Sequence, residues 1–190
     1  MLEKINDPVI KKPARVIGHK VVFRNATVSD AAFILSLRLD PEKGKYLSST
    51  SSDIERQIKW LEKYEQDENQ VYFIIEDKVQ ETFGTVRLYD KREDSFCWGS
   101  WILRDGRPSG FAVESALMVY RFALELGFKH SHFDVRKENE SVWKFHERFG
   151  AKRVGETADD YLFHLGNEAI LDSLHRFKKH LPDGIQIVWS

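Results

Sequence analysis

The chain has 190 residues, 42% of them hydrophobic and 31% charged, which is typical of one globular domain with a normal core. Its 29 Lys and Arg residues nearly balance 30 Asp and Glu residues, so a net charge of -1 gives no overall attraction to nucleic acid or an acidic membrane. The single Cys97 excludes an internal disulfide and a cysteine-built metal site, and no metal is predicted. Without a membrane span of roughly 18 apolar residues or a signal peptide, we expect a cytoplasmic protein.

The first half of the chain predicts two helices and an antiparallel meander. Ser52 and Glu55 have the spacing of a capping box at the start of the second helix, and a polar hairpin is expected over 90–95. In chain order the predicted elements are an irregular leader over 1–20, a strand over 21–23, a helix over 31–39, a helix from 54, and strands over 71–76, 82–88 and 96–103.

The second half alternates helices with strands and predicts a mixed α/β sheet, of α+β character. The predicted elements are a helix over 111–126, a strand over 132–135, a helix over 141–149, a hairpin formed by 151–155 and 161–165, a C-terminal helix around 170–181 and a short strand up to 189. We expect one main domain over 21–165 and a C-terminal helical and strand extension over 166–190 packed on it.

The turn before the helix over 111–126 carries the most informative motif. It reads Arg107, Pro108, Ser109, Gly110, Phe111, Ala112 and opens directly into an apolar helical run. Main-chain N–H groups at such a helix start point outward, and the helix dipole favours a phosphate there. Taken alone, the motif is equally compatible with an ordinary surface turn.

A second motif lies farther along the chain, and the two motifs together are more specific than the first alone. Asn139 begins a helix, His146 follows seven residues later, and Gly150 four residues after that. Together with Arg107, Gly110 and Ala112, this spacing resembles the Gcn5-related N-acetyltransferase (GNAT) family over residues 21–165. The branch it resembles includes ribosomal-protein, polyamine and amino-sugar N-acetyltransferases.

The resemblance implies a fold, an activity and a cofactor. The fold would be a central mixed sheet, with an antiparallel meander, then a βαβ-like cofactor half, and with helices on both faces. The activity would be direct transfer of an acetyl group from acetyl-CoA to a primary amine. The implied cofactor-binding residues are Trp101, Ile102, Leu103, Arg107, Pro108, Ser109, Gly110, Phe111, Ala112, Asn139 and Trp143. Packing is the alternative role for Trp143, and helix capping for Asn139.

His146 stands where the family often has the Tyr that protonates the coenzyme A sulfur. A free imidazole has a pKa of about 6.5 and can donate a proton near neutral pH. The alternative is a surface histidine near a helix C-terminus, where a cation is favoured.

The general base is open, because the Glu often found in the family is absent from the run over 97–101. Asp134 is our candidate catalytic base, and His132 shares its strand face. Both are alternatively structural partners of an arginine such as Arg87 or Arg136. Weaker candidates for acid-base or covalent chemistry are Glu81, Asp159, Asp160 and Cys97.

The acceptor is the least constrained part of the prediction. Five Trp residues and no basic bias favour a compact small-molecule amine, first an amino sugar or nucleotide-linked amino sugar. A protein N-terminus or a polyamine is the second choice, and a non-catalytic acyl-CoA-binding regulatory module is the alternative of another class. Among protein partners we expect only a second copy of the chain, in a homodimer. Nucleic acid and membrane are not expected partners.

Overall fold

A computed structural model describes residues 7–190, which form nine strands and five α-helices; all of them except the first strand correspond to predicted elements. The strands are β1 (Arg15–Ile17), β2 (Val21–Asn25), β3 (Val71–Asp77), β4 (Thr82–Arg92), β5 (Ser95–Leu103), β6 (His130–Arg136), β7 (Lys152–Glu156), β8 (Asp160–Leu165) and β9 (Gln186–Val188). The helices are α1 (Ala31–Leu39), α2 (Ile54–Gln66), α3 (Phe111–Glu125), α4 (Glu140–Arg148) and α5 (Asn167–Arg176). Within this described part, no helix is long and apolar enough to cross a bilayer.

All nine strands form one sheet, in the order β7-β8-β6-β5-β4-β3-β2-β1-β9. Neighbouring strands are antiparallel except β5 and β6, which are parallel. Successive side chains of β3 point to opposite faces of the sheet. Val71, Phe73 and Ile75 pack in the core that includes α3, whereas Tyr72 and Ile74 pack with α1 and α2 on the other face. The predicted mixed sheet with helices on both faces is therefore confirmed.

The N-terminal leader differs from its prediction. Residues 1–6 lie outside the described part of the chain, but Arg15–Ile17 form β1 rather than irregular structure. This strand pairs with β2 on one side and with β9 on the other, and its central Val16 is fully buried. Three residues are too short to show a period of two, so the strand is defined by its partners.

Two local predictions are also corrected. The polar hairpin over 90–95 is shorter, because β4 continues through Arg92 and only Glu93 and Asp94 separate it from β5. The helix cap of α2 is Asp53, whose carboxylate accepts a hydrogen bond from the N–H of Glu55 at 3.0 Å, rather than Ser52. Both corrections move a boundary and leave the element in place.

Candidate active site

The sheet opens between β5 and β6. The two parallel strands pair only where Ser95 meets His130 and Phe96 meets Ser131. The buried Ser131 hydroxyl donates to the Phe96 carbonyl oxygen at 3.0 Å, and beyond this point no pairing joins the two strands in the described chain. The other edge of β5 stays paired with β4 as far as Leu103. One edge of β5 is therefore left free along a cleft.

A β-bulge bends β5 where it passes this cleft. Two residues, Ser100 and Trp101, stand opposite the single residue Val86 of β4. Ser100 has a φ of +48°, in the left-handed region that residues other than glycine rarely adopt. The buried Thr85 hydroxyl donates to the Ser100 carbonyl oxygen at 2.8 Å and holds this conformation. Bulges often reorient residues beside active sites, and here both bulge residues line the cleft.

The turn predicted to bind phosphate forms the start of α3. Gly110 has a φ of +88°, and a Cβ at this position would lie 3.0 Å from Nδ1 of His180. In the described chain, the N–H groups of Gly110, Ala112 and Val113 have no main-chain acceptor. They border a depression formed by residues 106–113, with the positive end of the helix dipole behind them. This is the chemistry that a phosphate requires.

The side chains of the turn contribute unequally to this depression. The Arg107 guanidinium donates to the Arg104 carbonyl oxygen at 3.1 Å and lies 3.9 Å from the Asp105 carboxylate. The Phe111 ring is buried and packs edge-on against Phe83 at 5.2 Å, so only the main chain of Phe111 can face a ligand. The structure brings the predicted residues from Arg107 to Ala112 together around one depression.

His146 lies inside an aromatic cage at the centre of the cleft. Its ring centroid is 4.3 Å from that of Phe133, 5.1 Å from Trp98 and 6.2 Å from Trp101. Only 5% of the residue is exposed, and its Nδ1 has no hydrogen-bond partner in the described chain. Burial lowers the pKa of His146 to about 3, so the ring is neutral at pH 7. Both the surface alternative and the expectation of titration near pH 6.5 are therefore wrong.

Asn139 and Trp143, two predicted cofactor-binding residues at the start of α4, have different environments. Asn139 occupies the N-cap position, but its side chain makes no capping hydrogen bond and lines the cleft beside Val142. Capping therefore does not explain Asn139. Trp143 instead donates its indole N–H to the Lys137 carbonyl oxygen at 3.0 Å, and its ring packs edge-on against Tyr161 at 5.9 Å. Trp143 is not among the residues that line the cleft as described, and these contacts favour its alternative role in packing.

The candidate base residues on β6 have different surroundings. His132 has a partner at each ring nitrogen: Nδ1 lies 2.7 Å from the Ser95 hydroxyl, and Nε2 lies 3.3 Å from the Asp90 carboxylate. Asp134 is exposed and lines the cleft. Its carboxylate forms no ion pair or hydrogen bond with any residue in the range 7–190. Of the two, Asp134 is free to accept a proton.

The weaker carboxylate candidates are already paired. Glu81 lies 2.8 Å from the Arg104 guanidinium at the surface. Asp159 and Asp160 lie 3.4 and 3.5 Å from the guanidinium of Arg136. Of these residues, only Asp160 and Arg136 line the cleft, and they neutralise each other there.

Cys97 has the environment of a core residue. It is buried, and it belongs to the hydrophobic cluster that contains Trp98. Burial raises the pKa of its thiol to about 11, so the thiol is protonated at neutral pH. Since the thiolate is the nucleophilic form, the structure gives no support to an acyl-enzyme at Cys97.

The cleft continues past the bulge into a second pocket that the sequence analysis missed. We call it the acceptor pocket; its walls include Arg38 of α1, Trp60 of α2 and Arg87 of β4. Arg38, Arg87 and Ser100 also line the cleft around His146, so the two spaces are continuous. Both guanidinium groups are partly buried, and neither forms an ion pair within the described chain. The sequence signal was weak, because these residues lie far apart along the chain.

Comparisons with known proteins agree with this geometry. A family model described as an acetyltransferase (GNAT) domain matches residues 20–152. Apo FdhC, described as a nucleotide-linked sugar GNAT, has a TM-score of 0.79 and 33% identity to this chain, with 90% of this chain and 99% of that chain covered. No curated protein sequence matches the chain.

A more distant solved structure shows the same fold. Spermidine N-acetyltransferase from Vibrio cholerae, in complex with CoA and spermine, has a TM-score of 0.73 and 17% identity, with 80% of this chain and 98% of that chain covered. At this identity the likeness concerns the fold alone. The family model, by contrast, covers well over half of the chain. With two strands that separate beside a helix start whose main-chain N–H groups have no main-chain acceptor, this chain belongs to the GNAT family of N-acetyltransferases, which use acetyl-CoA as the acetyl donor.

Proposed function

We propose that the protein acetylates the primary amine of an amino sugar, in particular one that is linked to a nucleotide. The charge of the acceptor pocket carries this proposal: Arg38 and Arg87 line it without ion-pair partners, and no Asp or Glu lies in its wall as described. A nucleotide-linked sugar brings negative charge to this pocket, whereas a polyamine brings positive charge that the arginines repel. The 33% identity to FdhC, described as a nucleotide-linked sugar GNAT, supports the same choice.

The donor end of the cleft fits acetyl-CoA. The N–H groups of Gly110, Ala112 and Val113 and the guanidinium of Arg107 would bind its pyrophosphate. The free edge of β5 over 101–103 would bind the extended arm through main-chain groups. Bound acetyl-CoA supplies the acetyl group as an activated thioester. Where one of these N–H groups polarises the acetyl carbonyl, the loss of such a donor typically costs about 2.7–4 kcal/mol.

Asp134 and His146 have different roles in this proposal. Asp134 accepts the proton that the amine nitrogen loses as its bond to the acetyl carbon forms, directly or through a water molecule. His146 has a neutral ring, which can donate an N–H hydrogen bond without carrying a full positive charge into the cage. The ring would stabilise the negative charge that develops on the departing sulfur, which then takes its proton from solvent. Asn139 would orient the arm beside it.

The test is release of free thiol from acetyl-CoA with four kinds of acceptor: nucleotide-linked amino sugars, free amino sugars, spermidine and peptides with free N-termini. We expect release with amino sugars, and the highest kcat/KM with nucleotide-linked ones. Mass spectrometry of the product confirms that the amine gains one acetyl group. Faster release with spermidine or peptides than with every amino sugar would contradict the proposal.

A further inference from the structure

Three arginines line the acceptor pocket, and neutral partners hold two of them, Arg38 and Arg87, in place. The third, Arg56, lies 3.6 Å from the Asp53 carboxylate. Arg38 Nε donates to Oγ1 of Thr50 at 2.6 Å, and its Nη2 donates to the carbonyl oxygen and the hydroxyl of Ser48 at 3.1 and 2.8 Å. Arg87 Nε donates to Oε1 of Gln70 at 2.5 Å. None of these partners is negatively charged. The Arg87 guanidinium also lies over the Tyr89 ring, 4.3 Å from its centroid, but no carboxylate neutralises Arg38 or Arg87 within the described chain.

The two charges also act on each other. Burial lowers the pKa of Arg87, and the positive charge of Arg38 adds to this effect. Two like charges that share a partly buried pocket are unfavourable unless an anion lies between them or beside them. In the described chain the pocket wall has no Asp or Glu, so the protein does not supply that anion itself. The arrangement is suited to an anionic ligand.

The remaining wall offers groups for the rest of such a ligand. Tyr72 is 2% exposed and lines the pocket, and its hydroxyl lies near Arg38 and Thr85 without a well-aligned hydrogen bond in the described chain. A buried hydroxyl without a partner is costly unless a ligand or water satisfies it. The half-buried Trp60 adds an aromatic surface, and the loop over 48–51 adds four hydroxyl-bearing residues.

We propose that the acceptor pocket binds the nucleoside diphosphate part of the acceptor, with Arg38 and Arg87 on the diphosphate and Trp60 against the base or ribose. Guanidinium groups suit phosphate oxygens because each donates two parallel hydrogen bonds. The same arginines and Ser100 also line the cleft around His146, so a nucleotide held here leaves its sugar beside the transfer site. This inference rests on the proposed function, because it specifies how the sugar substrate is recognised.

The probes are uridine diphosphate and thymidine diphosphate, titrated by calorimetry into protein saturated with coenzyme A, whose own nucleotide then fills the donor site. We expect Arg38→Met and Arg87→Met each to weaken diphosphate binding about tenfold or more. Arg121→Met is the matched control, since Arg121 lies on α3, pairs with Glu125 at 2.8 Å and lines neither pocket. An unchanged affinity for coenzyme A in every variant shows that each is folded.

Diphosphate binding that is absent from the parent protein, or unchanged in both variants, overturns the inference. Thiol release with amino sugars, measured on the same preparations, separates the two proposals. Arginine-dependent diphosphate binding without acetylation of any amino sugar supports the pocket assignment and contradicts the proposed function. Acetylation of amino sugars without diphosphate binding contradicts the pocket assignment alone.

Discussion

The two ends of the cleft offer different parts of the chain to the proposed ligands. At the donor end, main-chain N–H groups at the start of α3 face the depression, and their direction depends on the positive φ of Gly110. At the acceptor end, the side chains of Arg38 and Arg87 provide the charge. Main-chain recognition tolerates many sequences, whereas side-chain recognition changes with a single substitution. A family can therefore keep its donor while it changes its acceptor.

Asp134 and His146 lie where the two ends meet. Substitutions at these residues should therefore impair acetyl transfer without weakening the binding of either ligand. We expect Asp134→Asn to lower kcat/KM for acetyl transfer about 1000-fold, because it removes the only unpaired carboxylate of the described cleft. Calorimetry should give unchanged affinities for coenzyme A and for uridine diphosphate. A loss of less than tenfold would assign the base to another group or to solvent.

His146→Phe is expected to lower kcat about 100-fold at saturating acetyl-CoA, because phenylalanine fills the cage but cannot donate a hydrogen bond to sulfur. The KM for the acceptor should change little, since His146 is not part of the acceptor pocket wall. Steady-state thiol release measures both constants. Unchanged turnover would reduce His146 to a packing residue.

The same histidine predicts how stability depends on pH. Its pKa is about 3 when folded and 6.5 when free, so the unfolded chain takes up a proton first as the pH falls. The folded state then loses about 1.4 kcal/mol per pH unit from pH 6.5 towards 3, or about 2 kcal/mol at pH 5 relative to pH 7. Urea unfolding of His146→Phe at both pH values should lack this contribution. An equal pH dependence in variant and parent would contradict the buried neutral ring.

Gly110→Ala tests whether coenzyme A binding depends on the main-chain geometry at the start of α3. A Cβ at φ +88° is strained and would lie 3.0 Å from Nδ1 of His180, so either the helix start or the His180 ring has to shift. We expect about tenfold weaker binding of coenzyme A, with unchanged binding of uridine diphosphate. Gly184→Ala is the control, because Gly184 also has a positive φ, of 69°, but has nothing within 4 Å of an added Cβ. Equal effects of both variants on coenzyme A would mean that a general loss of stability, and not the geometry of the α3 start, weakens the binding.

The donor end could be predicted from sequence because its signals are contiguous. Residues 107–112 form one turn, and Asn139 and Gly150 flank one helix, so spacing alone defines them. The acceptor pocket could not, since Arg38 and Arg87 come from a helix and a strand that only the tertiary fold brings together. For the same reason the low pKa of His146 was missed, because the rings that bury it lie on other elements.

The bulge and the first strand were missed for local reasons. Ser100 adopts a left-handed conformation without being glycine, so its sequence carries no turn signal. β1 has three residues, and only its pairing with β2 and β9 makes it a strand. Both features depend on partners distant in sequence, which single-sequence patterns do not include.

A crystal structure of the protein with coenzyme A and uridine diphosphate together tests the account most directly, because it locates both ligands at once. We expect the pyrophosphate of coenzyme A at the N–H groups of residues 110–113, and the uridine diphosphate between Arg38 and Arg87 beside Trp60. The free thiol should lie next to His146, between the two. Uridine diphosphate found only at the start of α3, or phosphates that contact neither arginine, would contradict the division of the cleft into a main-chain donor end and a side-chain acceptor end.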